Sequence, residues 1–210
     1  MKAMILAAGR GERMRPLTDR APKPLLDAGG KPLIQYHVEA LVAAGMRDIV
    51  INLAWQGAMI RQYLGDGTSL GARIEYSDEG EAALETGGGV FKALPLLGED
   101  PFLVVSGDVW TDYPFARLTS VLNDSDVAHF IVVANPDFHA RGDFALRGNR
   151  FAEGGVRYTY ANIGVFRPQF FEGCPGGKFA LAPLMFGWIA RNKVSGELYE
   201  GRWRNVGTSD

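Results

Sequence analysis

Short apolar runs recur along the first two thirds of the chain, separated by stretches whose apolar positions repeat every three or four residues. Residues 3–8, 48–53, 73–76, 102–105 and 127–134 read as strands. Residues 32–44 read as a helix, with Pro32 in its first turn and Gly45 just past its end. Leu33, Tyr36, His37, Ala40, Leu41 and Ala44 fall on one face of that helix and predict its buried side. Residues 56–64, stopped by Gly65, and residues 88–96 read as two further helices. Alternating strands and helices require right-handed crossovers, so the pattern predicts a mostly parallel sheet covered on both faces. From about residue 140 the pattern changes. Residues 144–146, 157–166 and 194–199 read as strands with little helix between them, a mixed-sheet elaboration of the same core.

The 210 residues suit a single domain, with no linker, internal repeat or hexapeptide array, so no appended β-helix domain is expected. The formal charge is −2 and 22% of residues are charged, which argues against a nucleic-acid binder. No apolar run is long enough to span a bilayer, and the opening MKAMILAAGRGERMR does not resemble a secretion signal. One cysteine (Cys174) and three histidines leave no disulfide and no zinc cluster, so a cytoplasmic protein is expected. Glycine changes the picture. The 27 glycines cluster at Gly9 and Gly11, Gly29 and Gly30, Gly87 to Gly89, and Gly176 and Gly177, where backbone would have to approach a ligand or turn sharply.

The first strand runs into Gly9-Arg10-Gly11-Glu12-Arg13-Met14, a glycine-rich turn at the carboxyl end of a parallel strand, where open α/β sheets hold phosphate. It is not a dinucleotide fingerprint, because Met14 replaces the third glycine and prolines 16, 22, 24 and 32 keep the chain extended. Nor is it a P-loop, since no Gly-Lys-Ser/Thr follows. Between Gly9 and Lys31, six cations (Arg10, Arg13, Arg15, Arg20, Lys23, Lys31) face three acids (Glu12, Asp19, Asp27). Freed N–H groups beside guanidinium and ammonium groups suit a polyphosphate.

The stretch LAAGRGERMRPLT (residues 6–18) followed by PKPL (residues 22–25) resembles the signature of the sugar-1-phosphate nucleotidyltransferases. That resemblance implies a Rossmann-like mixed sheet of the nucleotide-diphospho-sugar transferase (GT-A-like) type, and transfer of a nucleotidyl group to a sugar 1-phosphate with release of pyrophosphate. It implies a nucleotide-binding half over residues 1–135 and a sugar-binding half over residues 136–210. Leu6, Ala7, Ala8, Gly9, Gly11 and Glu12 would wrap the nucleoside triphosphate, Arg13 would hold its β- and γ-phosphates, and Lys23 would sit between the α-phosphate and the sugar phosphate. Further along, Leu84-Glu85-Thr86-Gly87-Gly88-Gly89 resembles the segment lining the base and ribose. Thr86, Gly87 and Gly88 are expected there, with Glu81 or Glu79 ahead of them. Close helix packing is the competing account of the three glycines.

Phe102-Leu-Val-Val-Ser106-Gly107-Asp108 is an apolar strand ending in an acid over the same crevice. Magnesium takes one or two carboxylates and shares substrate phosphates, which makes Asp108 the candidate ligand. Asp112 could assist it or cap a following helix. Trp203-Arg-Asn205-Val-Gly-Thr208 resembles the family's Trp-x-Asp-Val/Ile-Gly-Thr, where the aspartate completes the magnesium site. Asn205 is therefore a second, uncharged candidate. By the same resemblance Ser106, Gly142, Asp143 and Asn162 would contact the sugar. Longer matches, including ALETGGGVFKALPLLG and GDVWTDYPFARL, imply UTP and N-acetylmuramate 1-phosphate as substrates in cell-wall sugar recycling. The lactyl carboxylate of that sugar calls for a cation, with Arg141, Arg157, Arg202 and Arg204 as candidates. Another sugar phosphate with another NTP, or a non-catalytic regulatory subunit suggested by Asn205, are the alternatives.

Overall fold

The computed structural model describes residues 1–206; Gly207 and Thr208 of the carboxyl-terminal motif lie outside the described residues. Strands β1 (Ala3–Leu6), β2 (Asp48–Leu53), β3 (Arg73–Asp78), β4 (Phe102–Ser106), β5 (Val109–Thr111), β6 (Ala128–Val133), β7 (Phe144–Arg147), β8 (Arg150–Ala152), β9 (Arg157–Phe166), β10 (Val194–Tyr199) and β11 (Trp203–Asn205) follow one another along the chain. Nine of them form one sheet in the order β3-β2-β1-β4-β9-β6-β10-β8-β7, and β11 pairs with β5 in a separate ribbon. β1 to β4 are mutually parallel where they pair. The long β9 runs antiparallel between β4 and β6.

The helices are α1 (Leu17–Arg20), α2 (Leu33–Ala43), α3 (Gly57–Leu64), α4 (Glu85–Leu97) and α5 (Ala182–Ala190). Strand alternation sorts the core into two layers. Ala3, Ile5, Ile49, Ile51, Leu103 and Val105 face α2 and α3 through Ile34, Val38, Leu41 and Ile60. Met4, Val50, Phe102 and Val104 face α4 and α5 through Val90, Ala93, Leu181 and Met185. The second layer is aromatic. Phe102, Phe130, Phe166, Phe170 and Phe171 are fully buried, and Phe166 and Phe170 meet edge-on at 5.0 Å. Each such ring contributes roughly 1.5–3 kcal/mol by leaving water.

The predicted sheet with helices on both faces is therefore the observed one. Three local expectations change. The buried face of α2 is Leu33, Ile34, His37, Val38 and Leu41, so Ile34 and Val38 enter the core while Tyr36, Ala40 and Ala44 are only partly buried. The segment after the glycine turn is not extended: single turns at Glu12–Met14, Leu17–Arg20 and Lys23–Leu25 carry it around the crevice. Proline is tolerated in the first turn of a helix, so Pro24 opens a turn rather than preventing one. The helix α5 was also not expected. Its residues APLMFGWIA are apolar on every side, which erases the helical period, and Gly187 weakens its propensity.

Candidate functional site

The carboxyl ends of β1, β2 and β4 open into a cavity of about 480 Å³. Leu6, Ala7, Ala8, Gly9, Gly11 and Glu12 form one wall, with Arg10 and Arg13 among them. Gly11 takes φ +66°, and a Cβ there would stand 2.8 Å from Thr18 Cγ2, so the turn needs glycine. Thr18 Oγ1 donates to the Gly11 carbonyl at 2.9 Å and braces the turn.

The cations of this loop are not equivalent. Arg10 lies over the Trp55 ring at 4.4 Å, Arg15 pairs with Asp19 at 3.2 Å, and Lys31 pairs with Glu39. Lys23 is buried and its Nζ donates to Asp108 Oδ2 at 2.8 Å. Arg13 lines the cavity and makes no ion pair among the described residues. Arg20 makes no ion pair among the described residues either but does not line the cavity, so the cavity presents one unengaged guanidinium, Arg13, and one ammonium held by a carboxylate at the place where phosphates are expected. Asp108 sits two residues past the end of β4, and its Oδ1 accepts a hydrogen bond from Ser106 Oγ at 2.7 Å.

A model of the family described as "Nucleotidyl transferase" matches residues 2–141, two thirds of the chain and the whole of this cavity's lining. The chain belongs to the nucleotidyl transferase family. It is 50% identical over 99% of its length to an N-acetylmuramate alpha-1-phosphate uridylyltransferase of Neisseria meningitidis, covering 94% of that relative. It is 36% identical over 98% of its length to a protein of the same name from Caulobacter vibrioides, covering 91% of it. A crystal structure of a glucose-1-phosphate thymidylyltransferase from Bacillus anthracis superposes with a TM-score of 0.89 at 21% identity, over 100% of this chain and 91% of that one. At that identity the likeness speaks for the fold.

The nucleotidyl transferase departs from the expected site on its far wall. Thr86 lines the cavity, together with Glu79, Ala83 and Glu85. Glu81 does not: it is exposed on the loop, and of the two acids considered it is Glu79 that lines the cavity. Gly87 and Gly88 are buried behind the cavity and do not line it. A Cβ on Gly88 would meet the Gly177 carbonyl oxygen at 2.1 Å, one on Gly87 would meet the Phe179 ring at 2.6 Å, and the Gly88 N–H is spent on the Phe179 carbonyl. Close packing of α4 on residues 177–179 explains those two glycines. Asn52, at the end of β2, was missed. Its signal was available, as a polar residue interrupting an apolar strand above the crevice.

A second cavity, of about 250 Å³, opens beside the nucleotidyl transferase's β9. Asp143, Asn162 and Asn205 line it, with His139, Tyr160, Phe186 and Trp203. Asn162 holds φ +57° where the β6–β9 register shifts, so a bulge aims it out of the ladder. Asp143 Oδ2 accepts from the Tyr160 N–H at 2.8 Å, and Oδ1 lies 3.0 Å from His139 Nε2. Gly142 does not line either cavity; its φ of +60° and its N–H on the His139 carbonyl at 3.1 Å mark a turn. None of the four candidate arginines lines the second cavity. Arg157 binds the Asp143 carbonyl, Arg202 pairs with Asp112 at 2.8 Å, and Arg141 and Arg204 are exposed. Asp112 caps no helix: the Tyr199 hydroxyl and Arg202 hold its carboxyl at about 2.

Asp108 and Asn205 are brought together by the small ribbon, in which Asn205 opposes Val109 and the Val206 N–H donates to the Asp108 carbonyl at 2.7 Å. Among the described residues no group of three or more acids, histidines or cysteines could enclose a metal ion. The ribbon joins Asp108 and Asn205 through their backbones only: Asp108 lines the first cavity and Asn205 the second, so it is the single carboxylate at the first cavity's edge that fits a hard cation drawing its other ligands from phosphate and water. Behind this site His37 is fully buried on α2, and burial lowers its pKa to about 4.

Proposed function

We propose that this nucleotidyl transferase moves the uridylyl group of UTP onto N-acetylmuramate 1-phosphate, giving UDP-N-acetylmuramate and pyrophosphate. The observation that carries the transfer chemistry is the Lys23–Asp108 pair facing the glycine loop and Arg13 across one cavity. The base and sugar rest on the named relatives, which share up to half of their residues with this chain over nearly its full length.

The sugar phosphate oxygen attacks the α-phosphorus, and the bond from that phosphorus to the β-bridging oxygen breaks. The attacking phosphate is already ionised near pH 7, so no general base is needed, and positioning and charge neutralisation do the work. Leu6, Ala8, Gly9, Gly11 and Glu12 wrap the triphosphate, while Ala7 contributes its side only, because its N–H is bound to Asn52. Arg13 meets the departing pyrophosphate. Lys23 exchanges its contact with Asp108 for the α-phosphate and the incoming phosphate, as a compact mobile charge does readily. Asp108 and Asn205 would hold magnesium, which supplies further neutralisation of phosphate charge when bound. Thr86 and Glu79 face the base end. Asp143 and Asn162, on the second cavity, would face the sugar, and Ser106, on the first cavity beside Asp108, would meet it from the nucleotide side. We read residues 1–135 as the nucleotide half, with Ser106 reaching across, and residues 136–210 as the sugar half. A reaction fed by UTP belongs in the cytoplasm.

Pyrophosphate release measured with four nucleoside triphosphates and a panel of sugar 1-phosphates tests the reading. The highest kcat/KM is expected for UTP with N-acetylmuramate 1-phosphate. A clear preference for GTP with mannose 1-phosphate, or no release with any pair, would overturn it.

A further inference from the structure

Two buried polar side chains under the first cavity join parts of the chain that sequence keeps far apart. Asn52 is 3% exposed and Glu79 is 8% exposed. Asn52 Oδ1 accepts from the Ala7 N–H at 2.7 Å, at the root of the glycine loop. Its Nδ2 donates to Glu79 Oε1 at 2.6 Å, and Glu79 Oε2 accepts from the Leu84 N–H at 2.6 Å, just ahead of α4. The next residue, Glu85, sits at φ +61°, a costly conformation for a side-chain-bearing residue that its surroundings must enforce. Gly89 leaves the room: a Cβ there would stand 2.6 Å from Glu79 Oε1 and 2.9 Å from Asn52 Nδ2. No basic side chain is among the partners of this buried carboxylate, which depends on two N–H donors.

From this geometry we infer that Asn52 and Glu79 are positioning residues that act as one strut, fixing the separation between the glycine loop and the wall formed by Glu85 and Thr86. This rests on the reading of the cavity as the nucleotide site, and deepens it. The strut sets the width of the slot that the nucleoside enters, and its role lies in its three hydrogen bonds rather than in a negative charge at position 79.

The three bonds can be exchanged without being lost. In Glu79→Gln an N–H must face either Asn52 Nδ2 or the Leu84 N–H, and in Asn52→Asp two carboxylates meet. In the double variant Asn52→Asp with Glu79→Gln, residue 52 accepts from Ala7 and from the new amide, whose oxygen accepts from Leu84. Net charge and all three bonds return.

UTP affinity by calorimetry, and KM for each substrate, are measured for the wild type, both single variants and the double variant, with thermal unfolding as the check on folding. Each single variant should weaken UTP binding about tenfold or more, the scale of one buried hydrogen bond lost. KM for the sugar phosphate should stay within about twofold, and the double variant should recover UTP binding to within about threefold. Single variants that bind like the wild type, or a folded double variant as weak as Glu79→Gln, overturn the inference. Should a single variant unfold, Gly89→Ala presses on the same pair from the helix side and must weaken UTP binding in the same way. A wild type that binds UTP but transfers to another sugar leaves the strut standing and removes the proposed acceptor. A wild type that binds no nucleotide removes both.

Discussion

Lys23 Nζ and Asp108 Oδ2 lie 2.8 Å apart although 85 residues separate them in the chain, and the lysine side chain is only 8% exposed. On the proposed reading, the pair would hold a cation in a neutralised form until phosphate arrives. Removing either partner has two consequences. Lys23→Ala should lower kcat by about a hundredfold or more, the scale of one lost contact to developing charge. Asp108→Ala should do the same and also leave a buried ammonium unpaired, so its melting temperature should fall while that of Lys23→Ala changes less. Steady-state kinetics and thermal melts check both; near-normal turnover in either variant contradicts the assigned role.

Arg13 and Arg10 share the glycine loop but differ in what they already hold. Arg10 rests on Trp55, whereas Arg13 has no ion-pair partner among the described residues. Arg13→Ala should therefore weaken UTP binding and turnover by about tenfold or more, and Arg10→Ala by clearly less. Equal effects would show that Arg10 leaves the indole when nucleotide binds.

The glycine at position 88 is expected to matter for stability and not for chemistry. A methyl group there points at the Gly177 carbonyl oxygen from 2.1 Å. Gly88→Ala should cost about 1–3 kcal/mol, as overpacking does, and lower the melting temperature by roughly 2–4 °C per kcal/mol. Its KM for UTP, measured below the transition, should shift less than that of the Asn52 or Glu79 variants.

Two buried histidines tie stability to pH. Burial lowers His37 and His129 to about 4, against 6.5 for the free side chain. Between those values the unfolded chain binds protons that the native state refuses. Stability is therefore complete above pH 6.5 and falls as the pH drops towards 4, by at most about 1.4 kcal/mol per pH unit for each histidine. Urea denaturation at pH 7, 6 and 5 should show this slope, and a His37→Gln, His129→Gln double variant should flatten it.

In the second cavity, proposed to take the sugar, Asp143 has one oxygen on the Tyr160 N–H and the other near His139. Asp143→Ala should raise KM for the sugar phosphate about tenfold while KM for UTP stays within about twofold. The reverse outcome would move the acceptor out of the second cavity.

What the linear pattern reveals here depends on whether a residue's neighbours are local. The apolar runs of β1, β2 and β4 and the presence of α2 were legible because each needs only its own segment, whereas the face that α2 buries turns on which neighbours it meets. The glycine loop, Lys23 and Asp108 were legible because motif spacing and strand ends place them. The choice between Glu81 and Glu79 was not legible because both are acids on one loop, and only the fold shows which meets Asn52. Gly87 and Gly88 misled for a related reason. Their partners, Gly177 and Phe179, lie some 90 residues later and leave no trace in local spacing. The uniform apolarity of α5 hid its period, and the β5–β11 ribbon needs two three-residue strands, one from the middle of the chain and one from near residue 205.

β9 gives the molecule a property that neither cavity has alone. It comes late in the chain yet inserts between β4 and β6, which come earlier, and zips to both. Cutting the polypeptide between residues 135 and 136 would strip a row of amide partners from each piece. The fragments would be sticky apart and would need each other's strands to complete the sheet, so the boundary proposed between the two halves would be a place for reassembly rather than for independent modules.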